Sequence, residues 1–507
     1  GKLMDPKTKN DFVFRIGGEA GWGIATGAEL LAQVCLNLGY HVFSSKDYAS
    51  QIKGGHNYHT IRISLKPVGA DVDDVDLLLA LDEETLKRHS SKVDAQGIIL
   101  YEDKMAQIVK DARSAKDSRY FSLPLQKLEK ELNEKNIHNG VFVGAAVKIF
   151  GIEWKVLEKV LEEFFSGKIK LKEIMLKSAH AGYQAISQPK LSLPASLATS
   201  SGKLIFFSGN DAITQGALKA GLKFHAQYPM TPVSGILHNL AKEAESNKSL
   251  IVIQPEDEIA AINMGLGASY AGARSMVATS GGGFALMIEA LGLAGMAEIP
   301  LVIIEGQRPG PATGLPTKTG QGDLKFVLSA APDEPPRVVI APGDVNECYT
   351  ETKRAFYLAE KYQLPVIVLV DKQLTESYQT FDLNEEEKAF IFDYATQINV
   401  LEKVSPKQQN ADGLYKRYAS GNVFRTLPGT SGGVYTCAGD EHDEVGEITE
   451  DAEIRKRMVE RRAQKLELIQ KELPTPELLG VKNTDWVVVS WGSNKGALQE
   501  AVDRLNA

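Results

Sequence analysis

SLIVIQPEDEIAAINMGLGASYAGARSMVATSGGGFALMIEALGLAGMAEIPLVIIEGQRPG, residues 249–310, decides the fold. Its apolar runs SLIVIQ (249–254) and PLVIIE (300–305) are short and rich in Val and Ile. Between them lie helical patterns of small residues, chiefly EIAAINMGLGASYAG (258–272). Continuous apolar strands separated by helices predict a parallel sheet covered on both faces. The alternation extends outward through FVFRI (12–16), VDLLLAL (75–81), GIILY (97–101), KLIFF (203–207), RVVIA (337–341), PVIVLV (365–370) and WVVVS (486–490). The expected class is α/β.

Length and composition bound the rest. The 507 residues correspond to about three domains at ~150 residues each. With 57 Lys+Arg against 65 Asp+Glu the net charge is −8, and the basic surface of a nucleic-acid protein is missing. Three well-separated cysteines, Cys35, Cys348 and Cys437, exclude a disulfide scaffold, a CxxC zinc site and an iron–sulfur cluster ligated by this chain alone. No apolar run reaches about 18 residues and GKLMDPKTKND at the front lacks a signal-peptide core, so the expectation is a cytoplasmic protein with no membrane segment.

SQPKLSLPASLATSSG (187–202), rich in Ser and Pro without periodicity, reads as a linker. The expected organisation is an α/β domain over 1–186, that linker, a second α/β domain over 203–384, and a helix and loop extension over 385–484. EIRKRMVERRAQKLELIQKEL (453–473) is the clearest amphipathic helix of the extension. WVVVSWGSN and the pattern that follows (485–507) would open a third α/β domain, incomplete because one strand and one helix cannot bury a core.

Several stretches carry chemistry. In RIGGEAGWGIATG (15–27) glycines join a strand to a helix, where free backbone N–H groups can meet an anion. The dinucleotide fingerprint fails because Thr26 stands at its last glycine position, although Asp47 lies in range for a ribose acid. A tight packing turn and a cofactor contact are both open. SSKDYASQIKGGHNYHTIRIS (44–64) gathers Lys46, Lys53, His56, His59 and Arg62 with Tyr48 and Tyr58, either a rim for an anionic ligand or a solvated strand edge. In HAQYPMTPVSGIL (225–237) two prolines pin the backbone around Thr231. Glu258, beside Glu256 and Asp257, opens a helix, where acids complement the dipole whether or not they react. TSGGGF (279–284) is a second strand-to-helix glycine turn, and EGQRPGPATG (305–314) sets Arg308 on a loop after a strand, where open α/β sheets bind ligands. DEHDE (440–444) reads as a charged loop; no metal site is expected.

Taken in order, GNDAITQGA, YPMTPVS, QPEDEIAAINMGLGASYAG, ATSGGGFALM and RPGPATGLPTKTGQGD resemble the pyrimidine-binding domain of 2-oxoacid:ferredoxin oxidoreductases, thiamine-diphosphate enzymes. RIGGEAGWGIATG with YASQIKGGHNYHTIRIS resembles the γ-type domain fused ahead of it in long α subunits. YKRYASGN, LPGTSGG and AGDEHDEVGEITED, within 415–451, also look like that form. The resemblance implies that Glu258 hydrogen-bonds N1′ of the aminopyrimidine, promoting the imino tautomer that takes the thiazolium C2 proton. It implies cofactor contacts from Tyr228, Pro229 and Thr231, substrate contact from Thr231, and a substrate-carboxylate pair for Arg308. Val233 stands where the family has Ser, which removes one hydroxyl.

The resemblance also implies what must lie elsewhere. No GDG motif exists here for the diphosphate and its Mg2+, and no four-cysteine set exists for a [4Fe–4S] cluster. A partner β subunit would carry both, in an αβ or (αβ)2 enzyme that uses coenzyme A and ferredoxin. The chain would be inert alone. The leading expectation is 2-oxoglutarate to succinyl-CoA. Pyruvate or a branched-chain 2-oxoacid, a nicotinamide dehydrogenase built on residues 12–150, and a non-catalytic assembly subunit are the alternatives.

Overall fold

A computed structural model describes residues 11–49, 55–112, 119–188, 191, 193, 204–382, 399–481 and 484–506. These fall into two compact units, one drawn from Gly1–Phe206 and Ser377–Asn384, the other from Phe207–Glu376 and Glu385–Ala507. Most of the predicted linker, residues 385–398 of the extension and Lys53 lie outside the described residues.

The first unit is built on an eight-stranded mixed sheet, ordered Tyr120–Leu123, Val93–Glu102, Val75–Ala80, Asp11–Glu19, His56–Ser64, His41–Asp47, Tyr378–Asp382 and Leu204–Ser208. The predicted strand at 203–207 is therefore a sheet neighbour of Tyr378–Asp382, not the opening strand of the second sheet. That pairing is set by a partner some 170 residues along the chain, which local pattern cannot reveal. Gly23, in the left-handed region at φ 70°, caps the helix Ile24–Asn37 behind the first strand, and its conformation is one that other residues adopt at a cost.

The second unit carries a wholly parallel six-stranded sheet, ordered Val338–Ile340, Pro365–Asp371, Leu301–Gln307, Ser275–Thr279, Phe224–Ala226 and Ile251–Ile253. All residues of Ser275–Thr279, Leu301–Gln307 and Pro365–Asp371 are buried, as the continuous Val/Ile/Leu runs require. After Phe224–Ala226 the chain adds Ile251–Ile253 on one side and Ser275–Thr279 on the other. The reversal of strand order leaves a crevice at the carboxyl ends of these strands. Side-chain caps start the surrounding helices: Ser208 and Asp211 form a capping box for Gly209–Lys219, Asp257 accepts from Ala260 N–H for Glu258–Tyr270, and Asp344 accepts from Glu347 N–H for Val345–Tyr362.

The extension folds onto this unit through buried charge. The predicted helix is Ala452–Gln470, and its Arg461 and Lys465 both meet the carboxylate of Glu298, Lys465 Nζ at 2.7 Å. Arg417 Nη1 stands 3.7 Å from the same carboxylate, and all four side chains are buried. DEHDE belongs to this region: Glu441 takes both Arg462 amines at 2.9 Å and Arg455 at 3.3 Å. The segment 486–489 joins no sheet. Trp486, Val487, Val488 and Val489 are exposed, since a strand without a neighbour has no ladder to make. The following helix Lys495–Asn506 is anchored by Lys495 Nζ on Asp344 at 2.7 Å. Among the described residues no helix is long and apolar enough to cross a membrane.

Three buried cations around one carboxylate hold the Glu298 acid well below the usual carboxylate range, against the opposing effect of its burial. Glu298→Gln should destabilise this unit by about 3–5 kcal/mol, because it strands those cations. A lowered folded pKa gives stability that is present above the ordinary Glu value of about 4.3 and is lost as pH falls. The gap between wild type and variant in denaturant melts should therefore be full at neutral pH and close on acidification. A gap that does not change with pH contradicts the assignment.

Candidate active site

The crevice of the parallel sheet collects the loops that follow four of its strands. After Phe224–Ala226 comes the turn Gln227–Val233, which holds Tyr228, Pro229 and Thr231. Buried amides fix it from behind: Gln227 Nε2 donates to Val233 O at 3.0 Å, and Asn210 Nδ2 donates to Pro232 O at 3.0 Å. His225 Nε2 lies 2.9 Å from Gln227 Oε1, and burial pushes this imidazole down to about 4, so it is neutral at physiological pH. Gly306 permits the turn to seat. A Cβ there would stand 2.5 Å from Val233 Cγ1 and 3.1 Å from Pro232 Cδ. Tyr228 keeps its ring exposed.

After Ile251–Ile253 the chain reaches Glu258, the first residue of its helix. Its carboxylate is buried where the helix supplies positive potential. Thr279, the last residue of the Ser275–Thr279 strand, donates its hydroxyl to Glu258 Oε1 at 3.4 Å. The TSGGG turn passes directly over this carboxylate. A Cβ at Gly283 would lie 2.3 Å from Glu258 Oε1 and 2.1 Å from Thr279 Oγ1, so only glycine leaves room for the acid.

After Leu301–Gln307 comes Arg308, buried, with Nη1 donating to Thr231 O at 3.0 Å. Desolvation lowers its pKa, opposed by Glu258 and Glu305, yet a guanidinium stays charged at physiological pH. The structure thus brings Thr231, Glu258 and Arg308 into one crevice. It is the Thr231 carbonyl, not its hydroxyl, that takes the protein hydrogen bond. Arg308 Nε and Ser280 Oγ are both buried without a protein partner, at the carboxyl ends of neighbouring strands. Buried polar groups in that state call for a ligand or water.

Two acids here were not singled out from the sequence. Glu305, the last residue of PLVIIE, is fully buried beside Thr279 in the strand ladder, and its oxygens receive no hydrogen bond from a protein donor. Burial, then the adjacent Asp323, pushes its pKa well above the carboxylate range; burial also raises Asp323. Asp323 closes the loop that begins at Arg308, with its N–H on Gln307 Oε1 at 3.1 Å. The end of that loop is clasped by Gln321, which donates to Asp371 at 3.1 Å and accepts from Asn494 Nδ2 at 2.7 Å. Ser493 Oγ donates to the same Asp371 at 2.6 Å.

Arg62 pairs with Asp11 at 2.6 Å, and Lys46 lies over the Tyr48 ring at 5.6 Å. His56 Nε2 sits 2.9 Å from His89 Nε2, and burial with nearby Arg15 pushes His89 down to about 4. Asp47 ends the strand His41–Asp47. This is the architecture of an open α/β ligand site with a buried acid and a buried arginine at the switch point.

Comparison with known proteins supplies the family. Residues 215–461 match the family described as pyruvate flavodoxin/ferredoxin oxidoreductase, thiamine diP-binding, and residues 13–185 match pyruvate ferredoxin/flavodoxin oxidoreductase. The 2-oxoacid:ferredoxin oxidoreductase subunit alpha of Sulfolobus sp is 31% identical across 97% of this chain and 84% of its own length. The 2-oxoglutarate oxidoreductase subunit KorA of Mycobacterium tuberculosis is 27% identical across 99% of this chain and 80% of its own. Among solved structures, the 2-oxoglutarate:ferredoxin oxidoreductase from Magnetococcus marinus, with 2-oxoglutarate, coenzyme A and succinyl-CoA bound, superposes with a TM-score of 0.85. It is 30% identical, over 98% of this chain and 86% of that one. The chain belongs to the 2-oxoacid:ferredoxin oxidoreductase α-subunit family.

Gly283→Ala should displace the Glu258 carboxylate while leaving the sheet intact. Misplacing a reacting group by about 1 Å can cost on the order of 10²-fold in rate. Circular dichroism should match wild type while turnover by the assembled enzyme falls by about that factor. Near-normal turnover would show that the carboxylate tolerates the added methyl.

Proposed function

We propose that the second unit is the aminopyrimidine half of a thiamine-diphosphate site. With a partner β subunit, the chain would carry out CoA-dependent oxidative decarboxylation of a 2-oxoacid in the cytoplasm and pass electrons to ferredoxin. The observation that carries this reading is the buried Glu258 carboxylate beneath the TSGGG turn, with Arg308 in the same crevice. The residues fit the cofactor: a carboxylate for the pyrimidine N1′, the rigid Tyr228–Pro229–Thr231 turn for its ring, and unpaired Ser280 Oγ and Arg308 Nε for further polar contacts. Bound thiamine diphosphate supplies the nucleophilic thiazolium carbon and the electron sink for decarboxylation.

The chain's own residues then have defined tasks. Glu258 shares a proton with N1′, its buried position strengthening that bond. Arg308, already oriented by the Thr231 carbonyl, offers its remaining donors to the 2-oxoacid carboxylate in the planar geometry that only a guanidinium gives. Thr231 holds that arginine and lines the substrate side of the turn. The β subunit, in an αβ or (αβ)2 assembly, would add the diphosphate-binding half with Mg2+ and the [4Fe–4S] cluster. The lead substrate is 2-oxoglutarate, supported by the names of the Mycobacterium and Magnetococcus relatives. Pyruvate or a branched-chain 2-oxoacid is the second reading, favoured by the pyruvate oxidoreductase families matched.

Glu258→Gln in the assembled enzyme should lower turnover by about 10²–10⁴-fold, because an amide cannot share the N1′ proton. Exchange of the thiazolium C2 proton, followed by NMR, should slow with it; wild-type exchange in the variant would overturn the Glu258 role. Arg308→Lys should lower kcat/KM for the 2-oxoacid by roughly 10–100-fold, the worth of about 1.5–3 kcal/mol for a charge-assisted pair. Unchanged kinetics across a panel of 2-oxoacids would remove Arg308 from the substrate site.

A further inference from the structure

We infer that residues 491–494 form a strap that fastens the loop beginning at Arg308, and that Gln321 and Asp371 are positioning residues through which its grip reaches the arginine. The consequence for substrate rests on the reading of Arg308 as the substrate-carboxylate residue; the fastening does not. Residues 310–315 are exposed at the tip of the loop, so packing at the tip does little to hold it. Its fixed point is Asp371, the buried last residue of the Pro365–Asp371 strand. Asp371 Oδ1 accepts from Leu374 N–H at 3.0 Å and from Thr319 Oγ1 at 3.4 Å. Its Oδ2 accepts from Gln321 Nε2 at 3.1 Å and from Ser493 Oγ at 2.6 Å. Loop and strap are thus pinned to one buried acid, and a donor lost from either leaves that acid less well satisfied.

The strap also holds Gln321 directly. Asn494 Nδ2 donates to Gln321 Oε1 at 2.7 Å, and Gln321 Nε2 reaches the Trp491 carbonyl at 3.4 Å. Gly492, at φ 67°, lets the strap come down on this amide, since a Cβ there would stand 2.7 Å from Gln321 Nε2. The strap is anchored at both ends. Trp491 packs against the core around Phe284 and Leu369, and Lys495 Nζ reaches Asp344 at 2.7 Å and Glu347 at 2.5 Å.

The path from Gln321 to Arg308 is short. Gly320, next to Gln321, lies against Pro309, next to Arg308: a Cβ on Gly320 would stand 2.9 Å from Pro309 N and 3.1 Å from its Cδ. Pro309 O accepts from Leu315 N–H at 2.9 Å, and Leu315 O accepts from Lys318 N–H at 3.1 Å. The grip on Gln321 therefore keeps Gly320 on Pro309, and Pro309 fixes the backbone from which Arg308 reaches the Thr231 carbonyl. A loosened strap frees the loop while leaving Glu258 and its TSGGG turn untouched. The cost of ordering the loop then falls on substrate binding.

The test pairs amide hydrogen exchange with steady-state kinetics in the assembled enzyme, wild type against the double variant Ser493→Ala/Asn494→Ala. Ser493 is half-buried and Asn494 exposed, and neither lies in the crevice. The Leu315 and Lys318 amides should exchange about tenfold faster in the variant. KM for 2-oxoglutarate should rise roughly 3–30-fold, with kcat within about twofold. Exchange of the thiazolium C2 proton, which depends on Glu258, should not change. Ser493→Thr, which keeps the hydroxyl, should retain the wild-type loop protection and KM. Gln321→Glu sets a second carboxylate against Asp371 and should reproduce the double variant from the loop side. Undisturbed protection of Leu315 and Lys318 in the double variant overturns the strap, and lost protection with an unchanged KM overturns its link to Arg308. A parallel fall in kcat and C2 exchange marks general loosening and overturns the proposal as well. If the loop loosens as expected but wild type oxidises no 2-oxoacid, the fastening stands and it is the functional reading that fails.

Discussion

The hydrogen bond from Arg308 Nη1 to the Thr231 carbonyl is the contact on which the site depends. It joins the loop after Leu301–Gln307 to the proline turn after Phe224–Ala226, two connections that emerge on the same edge of the parallel sheet. A carbonyl orients a guanidinium without neutralising it, so the cation is fixed and still available to an anionic ligand. Nearly everything around the contact serves to hold its two ends. Asn210, Gln227 and His225 brace the turn from inside, and Gly306 lets it press against the strand. Gln307 and the Gln321 clasp hold the loop that Arg308 begins.

Topology explains why these parts meet. In a parallel sheet all carboxyl ends share one edge, and the strand-order reversal at Phe224–Ala226 opens a gap there between helices. Glu258 enters that gap at a helix N-terminus, while Glu305 lies within the sheet, where burial opposes ionisation. Two acids that both act on Arg308 are thereby given different surroundings by their placement. The divergence follows from backbone position rather than from residue type.

Much of this was legible in the sequence, for identifiable reasons. The apolar runs gave the parallel sheet because a strand buried on both faces has no polar positions to alternate with. Glu258, Thr231 and Arg308 stood out because each sits in a local pattern, a helix start, a proline pair or a post-strand loop, that can be read without knowing what packs nearby. Glu305 was hidden as the polar end of an apolar run, since only the assembled layers show that the strand's last turn is still interior. His225 and Gln227 were hidden because bracing amides have no spacing rule. The KLIFF run (203–207), expected to open the second domain, instead neighbours Tyr378–Asp382 in the first sheet, a partner that lies far along the chain. The run at 486–490 has strand composition but joins no sheet, a reminder that β-propensity describes a fit to neighbours rather than a property of the segment.

The central claim is that this chain holds the aminopyrimidine and substrate-carboxylate half of a site whose diphosphate and electron-transfer half is supplied by a partner. The most direct measurement is CoA-dependent reduction of ferredoxin by 2-oxoglutarate, made on this chain alone, on the β subunit alone and on the two coexpressed, with bound thiamine diphosphate and iron assayed in each. The account predicts activity only in the coexpressed complex, and neither iron nor tightly held thiamine diphosphate in the isolated chain. Stoichiometric thiamine diphosphate with Mg2+ and full turnover in the chain by itself would contradict it.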